Sequence, residues 1–416
     1  MIHHGDHEQF RTTIFCPKLY CQGALNTWSD IDLFERLDYT GQQARVAITS
    51  AFPLYLLKRY PWGFRKQAAL PYGFVFLKRK KQSTKGRTLI SYFQSYQANL
   101  LKAVSRALDS MLQQMRPQIM GQLNTPAIWA RLHRYFEDVH TDITLTLVNH
   151  DLVGVFNSVP QERLLDAVNQ LVNAWTVEHL LHFPDLQSVT ITVDISAKGD
   201  PTQSTFSGSY RKSAYNLKKI YVQDILTVVR SSLSSHIFSA LGCFWKQIRG
   251  AGIGSQISPS FSNLAVTIVE RTWQQIDLET LDQPRFAFFG IRYVNNRFII
   301  ATEEAELHPG FLMLRDLDFY GHPVELEVVD DDLLVGFSVD VRQRTVQYRQ
   351  PDLRQIRDCV SAGSVRLRMS GLKSRAHLIR KYTYPQDLIS ASLFALANLY
   401  VQKSFARQDV FSALRM

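Results

Sequence analysis

Cysteine is rare in this sequence, and its four residues, Cys16, Cys21, Cys243 and Cys359, form no Cys-x-x-Cys pair. That spacing argues against a structural zinc site and leaves free thiols as the expectation. Long apolar runs are missing too. The segment Leu388 to Val401 is interrupted by Ser390, Ser392 and Asn398, and nothing approaches the roughly 18 to 20 apolar residues that a membrane helix needs. The opening Met1-Ile2-His3-His4-Gly5-Asp6-His7-Glu8 lacks the cationic-then-apolar order of a secretory leader, so a nuclear or cytoplasmic, not secreted, protein is expected. Its histidines read as a polar tail rather than as metal ligands. Internal repeats, low-complexity tracts and Gly/Ser linkers are also lacking, which predicts lobes packed into one unit rather than strung apart.

Acid is scarcest where base is densest. From Lys58 to Arg116 the chain carries Lys58, Arg59, Arg65, Lys66, Lys78, Arg79, Lys80, Lys81, Lys85, Arg87, Lys102, Arg106 and Arg116 against the single acid Asp109. A second basic stretch runs through Arg366, Arg368, Lys373, Arg375, Arg380 and Lys381, and the segment Glu303 to Asp332 between them is acidic. With 47 Lys and Arg against 37 Asp and Glu, a formal net charge of +10 and 45% hydrophobic residues in a chain of 416, these features describe a multi-lobed globular protein with a footprint for phosphates.

The coarse pattern is α+β. The first 50 residues carry weak signals of short helices and loops. Phe74 to Leu77 and Thr88 to Tyr92 predict a hairpin around the basic loop Lys78 to Arg87. Leu101, Val104, Leu108, Met111 and Leu112 recur at helical spacing from Ala98 to Met115. Leu145 to Val148 predicts a strand running into Asp151, Pro160 opens an amphipathic helix over Leu164 to Leu181, and Val189 to Ile195 alternates as a strand. Ile220 to Ala240 and Phe261 to Ile276 predict helices. Phe286 to Phe289 and Phe298 to Ala301 bracket the turn Tyr293 to Asn296, Leu333 to Val339 pairs with Val346 to Tyr348, and helices follow from about Gln355.

Three segments carry chemistry. His150-Asp151-Leu152-Val153-Gly154-Val155-Phe156-Asn157-Ser158-Val159-Pro160 puts an aspartate at a strand end with an aromatic five positions on. Taken alone, Asp151 reads equally as a helix cap and Phe156 as core. Gln247-Ile248-Arg249-Gly250-Ala251-Gly252-Ile253-Gly254-Ser255-Gln256-Ile257-Ser258-Pro259 is a glycine-rich turn before a long helix; missing Cβ atoms there let backbone approach a ligand, and Ser258-Pro259 starts the helix. In that order, with the tip Tyr293-Val294-Asn295-Asn296 third, the segments resemble motifs A, B and C of reverse transcriptases. Leu77-Lys78-Arg79-Lys80-Lys81 and Arg87-Thr88-Leu89-Ile90-Ser91 resemble the fingers blocks of the Penelope-like and telomerase-type branch. Gly336-Phe337-Ser338-Val339-Asp340 and Val346-Gln347-Tyr348-Arg349-Gln350-Pro351 resemble later Penelope-like blocks, and Ser374-Arg375-Ala376 the thumb. The likeness is collinear from about Leu70 onward, strongest at motif B and weakest in the thumb.

The resemblance implies an α+β right-hand polymerase with an N-terminal segment over 1–60, fingers over 61–140, a palm over 141–350 with an insertion at about 185–240, and a helical thumb over 351–416. It implies RNA-directed DNA polymerisation with Mg²⁺, or Mn²⁺ in its place, on an RNA template with a DNA primer and deoxynucleoside triphosphates. Asp151, Asn295 and Asn296 take the catalytic positions, with Asp151 and Asn295 at the metal positions. Lys78, Arg87, Phe156, Gly254 and Ser255 take nucleotide positions; Lys80, Lys81, Gln247, Gly250 and Arg375 take nucleic-acid positions. Motif C departs from the family's Tyr-x-Asp-Asp. An amide in place of a carboxylate between two divalent ions costs several kcal/mol, on the order of a thousandfold or more in rate. Ile253 stands where many relatives carry Gln or Met, and no lysine lies between Arg297 and Gly371 to protonate pyrophosphate. The readings left open are a Penelope-like reverse transcriptase with a weakened second ligand, a catalytically inactive polymerase-derived nucleic-acid-binding protein, and an active enzyme into which the two Asn were introduced.

Overall fold

The computed structural model describes residues 2–4, 12–14, 16–77, 85–115, 120–121, 124–180, 189–196, 205–206, 216–283, 285–330, 332–356, 358–360 and 364–414. By internal contacts the chain divides into two compact units, one of Met1–Ile119, Val153–Thr272 and Tyr320–Glu325, the other of Met120–Leu152, Trp273–Phe319 and Leu326–Met416. Both units are discontinuous in sequence.

The first unit is built on a five-stranded sheet in the order Phe34–Leu37, Cys243–Gln247, Ile237–Ala240, Tyr72–Leu77, Gly86–Ser91. The expected basic hairpin is its edge, with Tyr72 opposite Ser91 and Leu77 opposite Gly86. Alternation sends Val75, Leu77 and Ile90 to one face, where they bury against Tyr20, Ala24 and Trp28 of the helix Pro17–Trp28. Trp28 also donates its indole N–H to Thr88 at 3.1 Å, and the Tyr20 hydroxyl accepts the Val75 N–H at 3.1 Å. The helix Ala98–Met115 buries the five predicted apolar positions, together with Leu100, Ala103, Ala107 and Met115.

Ile220 to Ala240 is not one helix. Strand Leu217–Tyr221 leads into a helix over Ile225–Ser234, and Ile237–Ala240 and Cys243–Gln247 then form a hairpin. The apolar periodicity hid two breaks. The run Ser231-Ser232-Leu233-Ser234-Ser235 offers side-chain hydroxyls to the last turn, as Ser235 does to the Ser232 carbonyl at 3.0 Å. Leu241 and Gly242, both at positive φ, make the two-residue turn that a hairpin favours.

The second unit holds a four-stranded sheet in the order Phe289–Tyr293, Asn296–Thr302, Leu145–Val153, Glu325–Val328. Ile291, Phe298 and Ile300 pack against Ile128, Leu132 and Phe136 of the helix Thr125–Asp138, whose first turn is capped by the Asn124 side chain accepting from the Ala127 N–H at 2.8 Å. The first hairpin strand begins at Phe289 rather than Phe286, because Ala287 sits at positive φ and interrupts extension. A three-stranded sheet of Leu333–Leu334, Phe337–Asp340 and Thr345–Tyr348 follows, and then helices Val365–Lys381, Leu388–Gln402 and Arg407–Leu414 around Leu372, Leu396 and Val410. Among the described residues no helix is long and apolar enough to cross a membrane.

One buried group makes the first unit sensitive to acid. His236 is fully buried with neither ring nitrogen hydrogen-bonded among the described residues, and burial pushes its pKa down to about 4. Its folded pKa lies below the ordinary value of 6.5, so the unfolded chain binds this proton first. Stability is therefore intact above about pH 6.5 and is lost as pH falls toward 4, at about 1.4 kcal/mol per pH unit. Urea unfolding across that range should show a pH slope that is shallower by about one proton, about 1.4 kcal/mol per pH unit, in His236→Leu than in the unmodified chain. An unchanged slope would mean that the ring is not kept neutral by the fold.

Candidate functional site

Strand register brings the predicted catalytic residues together. Asn296 pairs with Asp151 and Thr302 with Leu145, so the tip of the Phe289–Tyr293/Asn296–Thr302 hairpin lies beside the end of the Leu145–Val153 strand. Val294 and Asn295 form the turn. Val294 is a β-branched residue at φ +55°, a conformation costing roughly 1 to 3 kcal/mol. The buried Arg292 supports it by donating from Nη1 to the Val294 carbonyl at 2.9 Å. The Leu152 N–H donates to the Asn295 carbonyl at 2.6 Å, which ties the tip to the neighbouring strand.

Side chains complete the lock. Asn295 Nδ2 donates to Asp151 Oδ1 at 2.5 Å. A carboxylate only accepts, so the amide must present its NH₂ group and turn its oxygen away. Asn296 Nδ2 donates to Asn149 Oδ1 at 2.8 Å and to the His150 carbonyl at 3.4 Å, and its own Oδ1 is buried without a hydrogen-bond partner among the described residues. Two arginines flank the tip in sequence, Arg292 and Arg297, and both are fully buried. Arg297 donates to the Leu314 carbonyl, lies 3.4 Å from His150 Nδ1 and stacks over the Phe319 ring at 5.0 Å. Burial first, then the Arg297 and Arg315 charges, push the His150 pKa down to about 4 and keep it neutral at pH 7. The expectations gave these arginines no role; their only signal was the symmetry of Arg-Tyr-Val-Asn-Asn-Arg.

In the first unit the glycine-rich turn is stitched to the loop after Asp151 and to the basic hairpin. The Gly250 N–H donates to the Val159 carbonyl at 2.8 Å and the Ala251 N–H to the Phe156 carbonyl at 2.9 Å. The Ile90 N–H donates to the Ile253 carbonyl at 2.8 Å. Gly250 has φ +69°, and a Cβ there would stand 2.4 Å from the Phe156 carbonyl oxygen; Gly254 has φ +110°, and its Cβ would stand 2.1 Å from the Ile90 carbonyl oxygen. The freedom expected to admit a ligand is thus used at both positions to admit the chain's own backbone. Ser258 starts the helix Ser258–Leu281 and donates its hydroxyl to the Gly252 carbonyl at 2.6 Å. Ser255 is buried with its hydroxyl unpartnered among the described residues, and buried Gln247 donates to the Arg249 carbonyl at 2.7 Å. Phe156 is half-buried, and Arg87 is half-buried opposite Phe76 on its strand. Lys78, Lys80 and Lys81 lie outside the described residues. In the second unit, Arg375 donates to the Tyr400 hydroxyl at 3.1 Å and to the Gln355 carbonyl at 3.4 Å.

Neither a scan against protein-family models nor a search of curated proteins finds a match. Solved structures do. Apo telomerase from Candida tropicalis superposes with a TM-score of 0.60 over 100% of this chain and 69% of its own, at 11% identity. Telomerase from Candida albicans in complex with a TWJ fragment of telomeric RNA superposes with a TM-score of 0.55 over 88% of this chain and 61% of its own, at 14% identity. The fold is that of a right-hand nucleic-acid polymerase. Identities this low carry the fold and nothing finer.

In this polymerase fold the donor set does not fit a pair of divalent cations. Such ions need several hard anionic oxygens, and the tip supplies one carboxylate, already hydrogen-bonded by an amide. Among the described residues no group of three or more His, Cys, Asp or Glu could hold a metal. Glu303 follows Thr302, at the far end of the strand from Asn296 and roughly 20 Å away at 3.3 Å per residue. Asp316 accepts the Asp318 N–H at 3.0 Å in a local turn.

Gly250→Ala and Gly254→Ala should each lower stability by about 2 to 4 kcal/mol in denaturant unfolding, from the forbidden φ plus displacement of facing backbone. Gly242→Ala, at φ +77° with open space around its Cβ position, should cost only about 1 kcal/mol. Equal costs at all three positions would contradict the packing argument.

Proposed function

We propose that this chain is a polymerase-fold protein that grips an RNA template paired with a DNA primer, and that nucleotidyl transfer is silenced at motif C. The observation that carries this is the hydrogen bond from Asn295 to Asp151: the side chain at the second-ligand position gives the first carboxylate a proton donor instead of sharing a cation with it. On this reading Lys78 and Arg87 are assigned to the triphosphate and Phe156 to its sugar, while Gly254 and Ser255 are assigned to the nucleotide. Gln247, Gly250, Lys80, Lys81 and Arg375 follow the strands. Mg²⁺ supplies charge neutralisation in an intact two-metal site; here the residues hold one carboxylate for it. Descent from a Penelope-like element is supported by the order of the blocks at 77–91, 247–259 and 336–351, and a nuclear or cytoplasmic location goes with that descent.

Primer extension on an RNA template, with Mg²⁺ and then Mn²⁺, tests the silencing. The unmodified chain should give no extension above the Asp151→Ala background, and Asn295→Asp should raise extension by about a thousandfold if that position alone is at fault. Extension by the unmodified chain that disappears in Asp151→Ala would overturn the proposal. Binding is tested separately. Affinity for an RNA–DNA duplex should fall steeply with salt, because cations replaced by phosphate contacts are released to solution. An affinity independent of salt would remove the grip by the basic face.

A further inference from the structure

The first unit contains a cationic cavity that the polymerase motifs leave unassigned. Its volume is about 150 Å³, and Arg45, Arg65, Lys66 and Tyr96 line it together with an apolar wall that includes Ile48 and Leu70. Arg45, Ile48 and Thr49 come from one face of the helix Gly41–Ser50, as their spacing of three and four requires. The opposite side is the segment 65–71, pinned where the Arg65 N–H donates to the Tyr96 carbonyl at 2.8 Å and the Ala69 N–H to the Gln94 carbonyl at 3.0 Å. The Tyr96 ring is held in turn against Phe64 and Phe52, with centroids 5.0 and 6.4 Å apart.

Charge is what singles the cavity out. No lining residue is acidic, and the sequence has no Asp or Glu from Tyr39 to Leu108. Elsewhere in the same stretch the fold neutralises its cations: Arg59 meets the buried Asp224 at 2.8 Å. Arg45, Arg65 and Lys66 have no carboxylate partner among the described residues. Arg45 Nη1 donates to the Ala68 carbonyl at 2.6 Å, which fixes its guanidinium at the rim, and Arg65 Nε is buried with no hydrogen-bond partner among the described residues. Three like charges around one hollow repel each other, and an anion relieves that repulsion.

The geometry points to a binding site for one phosphate group. Guanidinium groups match phosphate oxygens in charge and fork geometry. A hollow of about 150 Å³ equals roughly five waters at about 30 Å³ each, room for a phosphate and few atoms beyond it. That size favours a phosphate carried on a nucleic-acid strand over a whole nucleoside triphosphate. The strand as the source rests on the nucleic-acid-binding proposal above; the pocket itself does not.

The test uses the full chain, a short labelled single strand with either a 5′-phosphate or a 5′-hydroxyl, and inorganic pyrophosphate as the free anion. Arg65→Gln with Lys66→Gln should weaken strand binding about tenfold at low salt and reduce the salt slope by about one. The charge-matched control, Arg134→Gln with Arg342→Gln at two exposed positions, should change it less than about threefold. Loss confined to the 5′-phosphorylated strand assigns a terminal phosphate, and loss for both strands assigns one between nucleotides. Lys66→Gln alone changes only an exposed side chain, so it keeps the fold and should give a partial loss. Equal losses in the two double variants, or none in either, would overturn the site. If the unmodified chain binds no strand, the nucleic-acid proposal fails and pyrophosphate calorimetry decides the pocket. Heat that vanishes in Arg65→Gln with Lys66→Gln supports it, and no heat with the unmodified chain overturns it.

Discussion

Asp151 and Asn295 are held against each other by the backbone before their side chains interact. The register that pairs Asn296 with Asp151 and the bond from the Leu152 N–H to the Asn295 carbonyl fix the two side chains within hydrogen-bond reach. Two carboxylates so placed repel strongly unless cations sit between them. With an amide in the second place the repulsion is gone and its N–H satisfies the acceptor directly, so the tip reaches electrostatic and hydrogen-bonding closure inside the protein. An amide at this position thus offers no second carboxylate and needs no cation between the two side chains.

The surroundings push in the same direction. Arg292 and Arg297 are buried on either side of the tip, one bracing the strained Val294 and the other reaching the Leu314 carbonyl. The carbonyls of Val294 and Leu314 offset part of the cost of burying these guanidinium groups. Burial, and then the Arg297 and Arg315 charges, keep His150 neutral, and the same positive charges oppose the entry of a doubly charged cation toward a single carboxylate. Within this unit the charge distribution suits an anionic neighbour better than a metal pair.

Much of the skeleton was legible in the sequence because it depends on local pattern. The basic hairpin, the helix Ala98–Met115 and the strand that carries Asp151 all follow from alternation or helical spacing. The misread stretch from Ile220 to Ala240 shows the limit, since its apolar residues fit a helix and a following strand equally well, and only the serine run and the Leu241-Gly242 turn separate them. Arg292 and Arg297 were invisible for a different reason: a buried arginine and a solvated one are the same letter. The cationic cavity was hidden because its lining comes from 45–49, 65–71 and Tyr96, three segments brought together only by folding. The approximate site could be read as a set of segments; which atoms face which could not.

The glycine-rich turn shows how resemblance and mechanism come apart. Gly250 and Gly254 sit at positive φ, with the carbonyls of Phe156 and Ile90 where their Cβ atoms would be. The fold therefore requires them whether or not a nucleotide ever binds, because any side chain would drive the turn away from the loop after Asp151 and from the hairpin strand. Presence of these glycines speaks for the polymerase architecture and is silent about turnover. Carboxylate count behaves in the opposite way. An amide at the tip closes on Asp151 without a cation, whereas a carboxylate there would call for one, so the choice between Asp and Asn bears on metal binding more than on architecture. Of the segments that resemble polymerase motifs, the tip is where sequence reports on catalysis rather than on folding, and there the chain carries Asn295 and Asn296.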